Sequence, residues 1–286
     1  MGTPWGGTVS VVIATRDRRT ELLRTLKRLT DLPERPHVIV VDNGSLDGTP
    51  DDVAERFPGV ELIRLGRNHG AAARNVGVQA ATTPYVAFCD DDSWWEPGSL
   101  DKAAMLFDAE PRLGLIAARL LVGRARASDP VNDDLGDGSP VMGFLACGAI
   151  VRRQAFLEAG GFNDLLFFAG EEQLVAYDLA ALGWERRYVP EVVAVHEPSK
   201  RRPVASGRRR LELRNALLTA WLRRPGRVAL RETLRVAGRM WADPDARSAM
   251  LSALRRLPHA ISARRRLPGE VESEVRRAET AGRDGG

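Results

Sequence analysis

Four short, mostly β-branched runs separated by helical stretches occupy the first ninety residues, and the fourth run stops on three consecutive aspartates. Val9-Ser10-Val11-Val12-Ile13-Ala14 and His37-Val38-Ile39-Val40-Val41 are nearly unbroken apolar runs, as strands buried on both faces require. Val60-Glu61-Leu62-Ile63 and Pro84-Tyr85-Val86-Ala87-Phe88 follow as third and fourth strands. Between them, Leu22, Leu23, Leu26 and Leu29 share one helical face, Thr49-Pro50 opens a second helix with proline at its first position, and the alanines of 71–81 favour a third. This β-α-β-α-β-α-β order predicts an α/β fold: a Rossmann-like, mostly parallel sheet flanked by helices, with right-handed crossovers.

Beyond residue 110 the pattern loosens. Strands are expected at Leu113 to Ala117, Ala118 to Val122 and Cys147 to Val151, with edge-type strands at Arg187 to Val189 and Val192 to Val195 around Pro190. Helices are expected at Gly98 to Phe107, Arg153 to Ala159 and Gln173 to Leu182, and the Asp, Gly, Pro and Ser of 128–140 predict a mobile loop. Arginine-rich helices over 207–223, 227–239 and 245–256, punctuated by Pro225, Pro244, Pro258 and Pro268, lead to a frayed end over 269–286. The expected organisation is a catalytic domain over 1–200 and a basic helical C-terminal extension over 201–286.

Charge supports that division. Residues 1–199 carry 20 Lys and Arg against 29 Asp and Glu, whereas 200–286 carry 22 against 9. No run approaches the roughly 20 apolar residues of a membrane-spanning helix. Met1 to Gly7 carries no positive charge and the apolar run that follows is too short for a secretion signal, so a cytoplasmic location is expected. Cys89 and Cys147 sit among apolar and small residues, the setting of buried thiols.

Open α/β sheets bind ligands beyond the carboxyl ends of their strands. Asp42 and Asp90-Asp91-Asp92 fall at such ends. Three adjacent carboxylates repel one another unless a cation or hydrogen-bond donors compensate, and a hard divalent ion with oxygen ligands suits them. A single aspartate here would read as a helix cap, but three in a row favour ligand binding.

A resemblance then becomes specific. The segments Val9 to Arg18, Val40 to Thr49, Asn68 to Gly77 and Pro84 to Trp95 resemble, in order, four signatures of family-2 glycosyltransferases, the last carrying the Asp-X-Asp motif. The resemblance covers about residues 8–200. It implies a GT-A fold, a nucleotide-diphosphate sugar donor (UDP first, dTDP or GDP as alternatives), Mg2+ or Mn2+, and inversion at the anomeric carbon. By position, Thr15, Arg16, Asp42 and Asn43 would face the nucleotide, with Arg74 near the base or diphosphate. Asp90 and Asp91 would contact ribose or metal-bound water, and Asp92, with Asp90 and His196, would hold the metal. Gly170-Glu171-Glu172 resembles the family's Gly-Glu-Asp motif with Glu in place of Asp, so Glu172, or its neighbour Glu171, would deprotonate the acceptor hydroxyl. Trp94, Trp95 and Gly148 would lie on the acceptor side, where a glycan, lipid-linked or small-molecule hydroxyl binds.

The basic extension offers three readings: attachment to an anionic membrane surface, packing on the catalytic domain with arginines near the donor phosphates, or a solvated charged face. A nucleic-acid-binding protein is disfavoured, because only Trp221 and Trp241 interleave with the arginines and the acidic cluster would go unexplained. A nucleotidyltransferase would use the same carboxylates, but Thr15-Arg16-Asp17-Arg18-Arg19 lacks the glycine of a phosphate loop.

Overall fold

The structure is a computed structural model that describes residues 7–136, 140–199 and 205–284. Its first half follows the predicted alternation: β1 (Val9–Thr15), α1 (Arg19–Thr30), β2 (His37–Asp42), α2 (Thr49–Arg56), β3 (Glu61–Arg64), α3 (Ala73–Ala80) and β4 (Tyr85–Cys89). Strand β1 pairs in parallel with β2 on one side and β4 on the other, and β2 pairs in parallel with β3. Strand order therefore reverses between β1 and β4, and the crevice at that reversal is where such sheets take ligands. Both ends that open onto it carry chemistry: Thr15 to Arg18 after β1 and the three aspartates after β4.

The second half contains β5 (Ser93–Trp95), α4 (Ser99–Ala109), β6 (Leu113–Val122), β7 (Ala127–Ser128), α5 (Val131–Leu135), β8 (Ala149–Arg152), α6 (Arg153–Ala159), α7 (Glu171–Ala181) and β9 (Glu185–His196). The sheet runs β3-β2-β1-β4-β8-β6-β9-β5, with β7 appended to β6. Several boundaries differ from the sequence expectations. The strands expected over 113–122 are one strand. Those around Pro190 also form one strand, β9, which lies between β6 and β5 rather than at an edge, with a register shift between Ala118 and Arg119 that accommodates Pro190. Proline donates no ladder hydrogen bond, so a bulge is where a sheet interior tolerates it. Within 128–140, α5 is anchored by buried Asn132, whose amide exchanges hydrogen bonds with the Leu120 backbone at 2.8 Å; residues 137–139 of that segment lie outside the description.

The arginine-rich region folds into α8 (Ala205–Arg223), α9 (Gly226–Ala237), α10 (Pro244–Ser262) and α11 (Gly269–Asp284). Pro258 does not stop α10. It lies on the exposed side, where the carbonyl it leaves without a partner meets water. The expected frayed end is instead helical through Asp284, with Val271 and Val275 buried against Tyr177 and Met142. Leu217, Leu218 and Leu222 of α8 pack with Leu166, Leu174, Val236 and Met250. Each fully buried leucine contributes about 1.5–3 kcal/mol. Arg223 forks onto Asp178 of α7 at 2.5 and 2.8 Å, and Arg224 reaches both Glu272 and Glu279 of α11. These buried pairs spend part of the surplus positive charge inside the fold. The cluster Lys200-Arg201-Arg202, and with it the boundary at 200–201, lies outside the described residues, as do Met1 to Gly6.

Candidate active site

The end of β4 releases the aspartates in different directions. The Asp91 side chain turns inward, accepting from Thr15 Oγ1 at 3.1 Å and Arg18 Nε at 3.2 Å, while its backbone carbonyl accepts from Thr25 Oγ1. Burial pushes Asp91 up to about 7, the Arg18 guanidinium opposes that rise, and the flanking carboxylates add to it. Asp92 accepts from Arg18 Nη2 at 2.8 Å and from the Ser199 backbone at 3.1 Å, and its Oδ1 lies 3.2 Å from His196 Nε2. Burial alone would raise Asp92, but the hydrogen bond and charge of His196, with Ser199 and Arg18, hold it below the ordinary carboxylate value. Antiparallel pairing of β5 with β9 sets Ser93 opposite His196, which explains why a histidine about a hundred residues away meets Asp92.

One ligand atom from each of Asp90, Asp92 and His196 lies within 4.8 Å of the others. Two carboxylate oxygens and an imidazole suit a divalent ion of the Mn2+ or Mg2+ type. Asp91 is not in that group; its side chain turns toward Thr15 and Arg18.

Arg74, buried on α3, bridges this cluster to the far wall. Its Nη2 reaches Asp90 Oδ1 at 2.5 Å, and its charge also faces Glu171 and Glu172 at the start of α7. Glu172 is partly accessible, and burial raises its pKa above the ordinary value against its own backbone amide, Arg74 and the Ala146 amide. Glu171 is 2% exposed with its Oε2 unpartnered, and burial together with Glu172 pushes it up to about 8. Glu171 therefore costs stability as it ionises. Its unfolded-state value is near 4.5 and its folded value near 8, so between them only the folded chain holds the proton and stability falls as pH rises. Glu171→Gln is expected to melt several degrees above wild type at pH 9 and within about a degree of it at pH 4, read by thermal melts across that range. A variant that melts lower at pH 9 would contradict this assignment.

The remaining expected residues divide. Asp42 is buried at the end of β2, with Oδ2 taking the Ser45 amide at 3.2 Å and Oδ1 unpartnered toward the crevice end of the sheet. Asn43 has its amide committed to the backbone of His69 and Gly70. Arg16 is half exposed beside Asp17, and the arginine of this loop that reaches Asp91 and Asp92 is Arg18. Positive φ at Asp17 turns the chain so that Arg18 points back over the cluster, which no periodicity in the sequence signals. Trp95 is fully buried, packed in the cluster that contains Leu26 and Phe107, while Trp94 is only partly buried against the same cluster. Trp94 lies under Arg28, whose Cζ is 3.5 Å from the ring centroid. Gly148 is buried in a tight turn, where an added Cβ would meet only ordinary contacts from 3.6 Å outward. Arg208, on α8, stands near enough to Glu171 and Glu172 to feel their charge.

Residues 10–158 match the family described as Glycosyl transferase family 2. The chain belongs to that family. A pre-mycofactocin glycosyltransferase of Mycobacterium tuberculosis is 32% identical over 206 residues, which cover 66% of this chain and 42% of the relative. This chain thus spans less than half the length of that relative. An N-acetylglucosaminyl-diphospho-decaprenol L-rhamnosyltransferase of the same organism is 28% identical over 229 residues, covering 65% of this chain and 75% of the relative. Among solved structures, the Pyrobaculum calidifontis mannosyltransferase PcManGT in complex with GDP-Man and Mn2+ superposes with a TM-score of 0.58 at 22% identity, covering 98% of this chain and 79% of that one. TarS from S. aureus in complex with UDP-GlcNAc gives a TM-score of 0.60 at 16% identity, covering 93% and 83%. These likenesses identify the GT-A glycosyltransferase fold. In this member of the family Arg74 lies between the acidic cluster and the start of α7, its charge acting on Asp90, Glu171 and Glu172.

Proposed function

We propose that this chain moves a sugar from a nucleoside-diphosphate donor to an acceptor hydroxyl with inversion, assisted by a divalent cation, its catalytic unit being residues 1–200 and the basic helices its extension. The observation that carries this reading is the convergence of Asp90, Asp92 and His196 on one point, with Arg74 joining them to Glu171 and Glu172. Asp90, Asp92 and His196 would hold Mg2+ or Mn2+; when bound, such an ion neutralises charge developing on a diphosphate leaving group. Asp42, with an unpartnered buried oxygen, is suited to accept a hydrogen bond from the base. Arg74 adds a fixed positive charge beside the diphosphate side of the crevice. Glu172 takes the proton from the acceptor hydroxyl, and its raised pKa makes it a stronger base than an exposed carboxylate. A relative bound to GDP-Man and another to UDP-GlcNAc support a nucleotide-sugar donor without choosing the base. The test is turnover of UDP-, dTDP- and GDP-sugars with Mg2+, Mn2+ or EDTA. Turnover of one donor only with metal is expected; failure of every donor to bind or react would defeat the proposal.

The extension is suited to an anionic membrane surface, where a lipid-linked acceptor would be met. Among the described residues no helix is long and apolar enough to cross a membrane. Yet α9 exposes Leu230 and Leu234 on the same side as Arg227, Arg231 and Arg235, and Trp241 just beyond is 95% exposed. Leucines flanked by arginines suit a helix lying in a headgroup layer. The 286-residue chain is expected to co-sediment with phosphatidylglycerol vesicles and not with phosphatidylcholine vesicles. Leu230→Glu with Leu234→Glu should weaken that binding about tenfold or more. Equal recovery from both vesicle types, or none from either, would reject attachment by this face.

A further inference from the structure

We propose that Arg214 and Asn215 of α8 are positioning residues for the acceptor-side base, acting by holding the loop 166–169 that leads the chain into Glu171-Glu172. This rests on the reading of Glu172 as the base. The loop is an unusual backbone. Phe167 and Ala169 have φ of +62° and +70°, immediately before Gly170 at +85°. Left-handed geometry at a non-glycine residue costs about 1–3 kcal/mol and persists only where the surroundings enforce it. Here the enforcement comes from the C-terminal helices. The two N–H bonds of the Asn215 amide are shared among three loop carbonyls, Leu166 at 2.9 Å, Phe168 at 2.8 Å and Ala169 at 2.7 Å. Arg214 Nη2 donates to Leu166 O at 2.5 Å, while its Nε donates to Asn215 Oδ1 at 2.9 Å and so fixes which end of the Asn215 amide faces the loop. Both side chains are buried. Hydrogen bonds of this kind, shielded from water and closed by a guanidinium, are stronger than neutral surface ones.

The one carbonyl of the loop that Asn215 does not take, that of Phe167, faces the donor side. It accepts the Ala71 amide at 2.6 Å. Gly70 sits so close that a Cβ there would stand 2.1 Å from the same oxygen, which is why this signature needs glycine. Asn43, next to Asp42, holds the other side of that turn through the Gly70 carbonyl and His69 amide. An unbroken set of contacts therefore runs from the residue after Asp42, through Gly70 and Ala71, across the Phe167 carbonyl, to Asn215. The extension sets the distance between the donor wall and the base without touching either ligand.

The experiment is hydrogen exchange on the full chain combined with steady-state kinetics on the donor that wild type turns over. Asn215→Asp keeps the shape and the acceptor for Arg214 but removes the NH2 donor. Thr219→Val, a buried change on the same helix at a hydroxyl without a hydrogen-bond partner, reports on packing alone. In Asn215→Asp, amides of 166–171 and Ala71 should exchange about tenfold faster or more, with β1 to β4 unchanged. The kcat should fall about 10- to 100-fold with donor KM within about twofold, and Thr219→Val should show neither effect. Unchanged exchange in the loop, acceleration throughout the molecule, or faster loop exchange with unaltered kcat would each overturn the proposal. Glu172→Gln is run alongside: full activity in that variant would reject the base assignment itself, whereas the exchange data judge the loop's attachment regardless.

Discussion

Glu172→Gln is expected to lower the transfer rate about 1000-fold while leaving nucleotide binding and the melting temperature close to wild type. Removal of a general base costs about 10²–10⁴ in rate, and the middle of that range is about 4 kcal/mol of transition-state stabilisation. Glutamine keeps the length and one acceptor oxygen, so Ala146 and the start of α7 retain a partner, but it cannot take the proton. The neighbouring carboxyl cannot substitute. Glu171 is buried with its Oε2 facing no partner, and burial together with the charge of Glu172 raises its pKa and favours its protonated form. Glu171→Gln is therefore expected to stay within about threefold of wild type at pH 7. Burial also lifts Glu172, so the acidic limb of the kcat profile should lie above the ordinary glutamate value of 4.5. Rates measured from pH 5 to 9 for wild type and both variants separate the two carboxyls. If Glu171→Gln were the inactive variant and Glu172→Gln the active one, the assignment would be reversed.

The parallel half of the fold was legible because its signals are local. An apolar β-branched run such as Val9 to Ala14 has few alternatives, and each run ended on a turn signal near the observed boundary. The aspartates were legible for a related reason: charge at the end of a buried strand needs a partner nearby. What the sequence left open depends on contacts distant along the chain. Trp94 and Trp95 are chemically identical neighbours, and only the seating of β5 against β9 decides that Trp95 enters the core. Arg18 carries no periodic signal, and its reach to Asp91 and Asp92 depends on the reversal at Asp17. The arginines of the tail left membrane attachment, packing on the catalytic domain and a solvated face all open. Arg223 and Arg224 are buried against Asp178, Glu272 and Glu279, carboxylates whose partners no local pattern could predict. Asn215 is the clearest case, since a lone asparagine within an arginine-rich helix gives no hint that it faces three carbonyls almost fifty residues earlier.

Asp92→Asn tests the opposite wall of the crevice, and its expected effects pull in two directions that can be measured separately. The carboxylate faces Arg18, His196 and the Ser199 amide, and their sum holds its pKa below the ordinary value despite burial. A depressed folded-state value contributes stability above the unfolded pKa of about 4 that is lost as pH falls through the folded one. The variant should therefore melt below wild type at pH 7, and the difference should close toward pH 3. Against this, removing one of three adjacent charges relieves Asp91, whose raised value owes part of its rise to Asp90 and Asp92, so the net loss should stay near 1–2 kcal/mol rather than the full cost of a broken buried pair, about 3–5 kcal/mol. The effect on function should be larger. With one of the two carboxylate ligands neutralised, Asp90 and His196 are left to hold a divalent ion, and the rise in melting temperature that Mn2+ gives wild type should disappear. Turnover with Mn2+ should drop about 100- to 1000-fold, to the level wild type shows in EDTA. A variant that kept both the Mn2+-induced shift and more than a tenth of the activity would show that the ion is held elsewhere, leaving Asp92 only as the counter-charge that fixes Arg18 and His196.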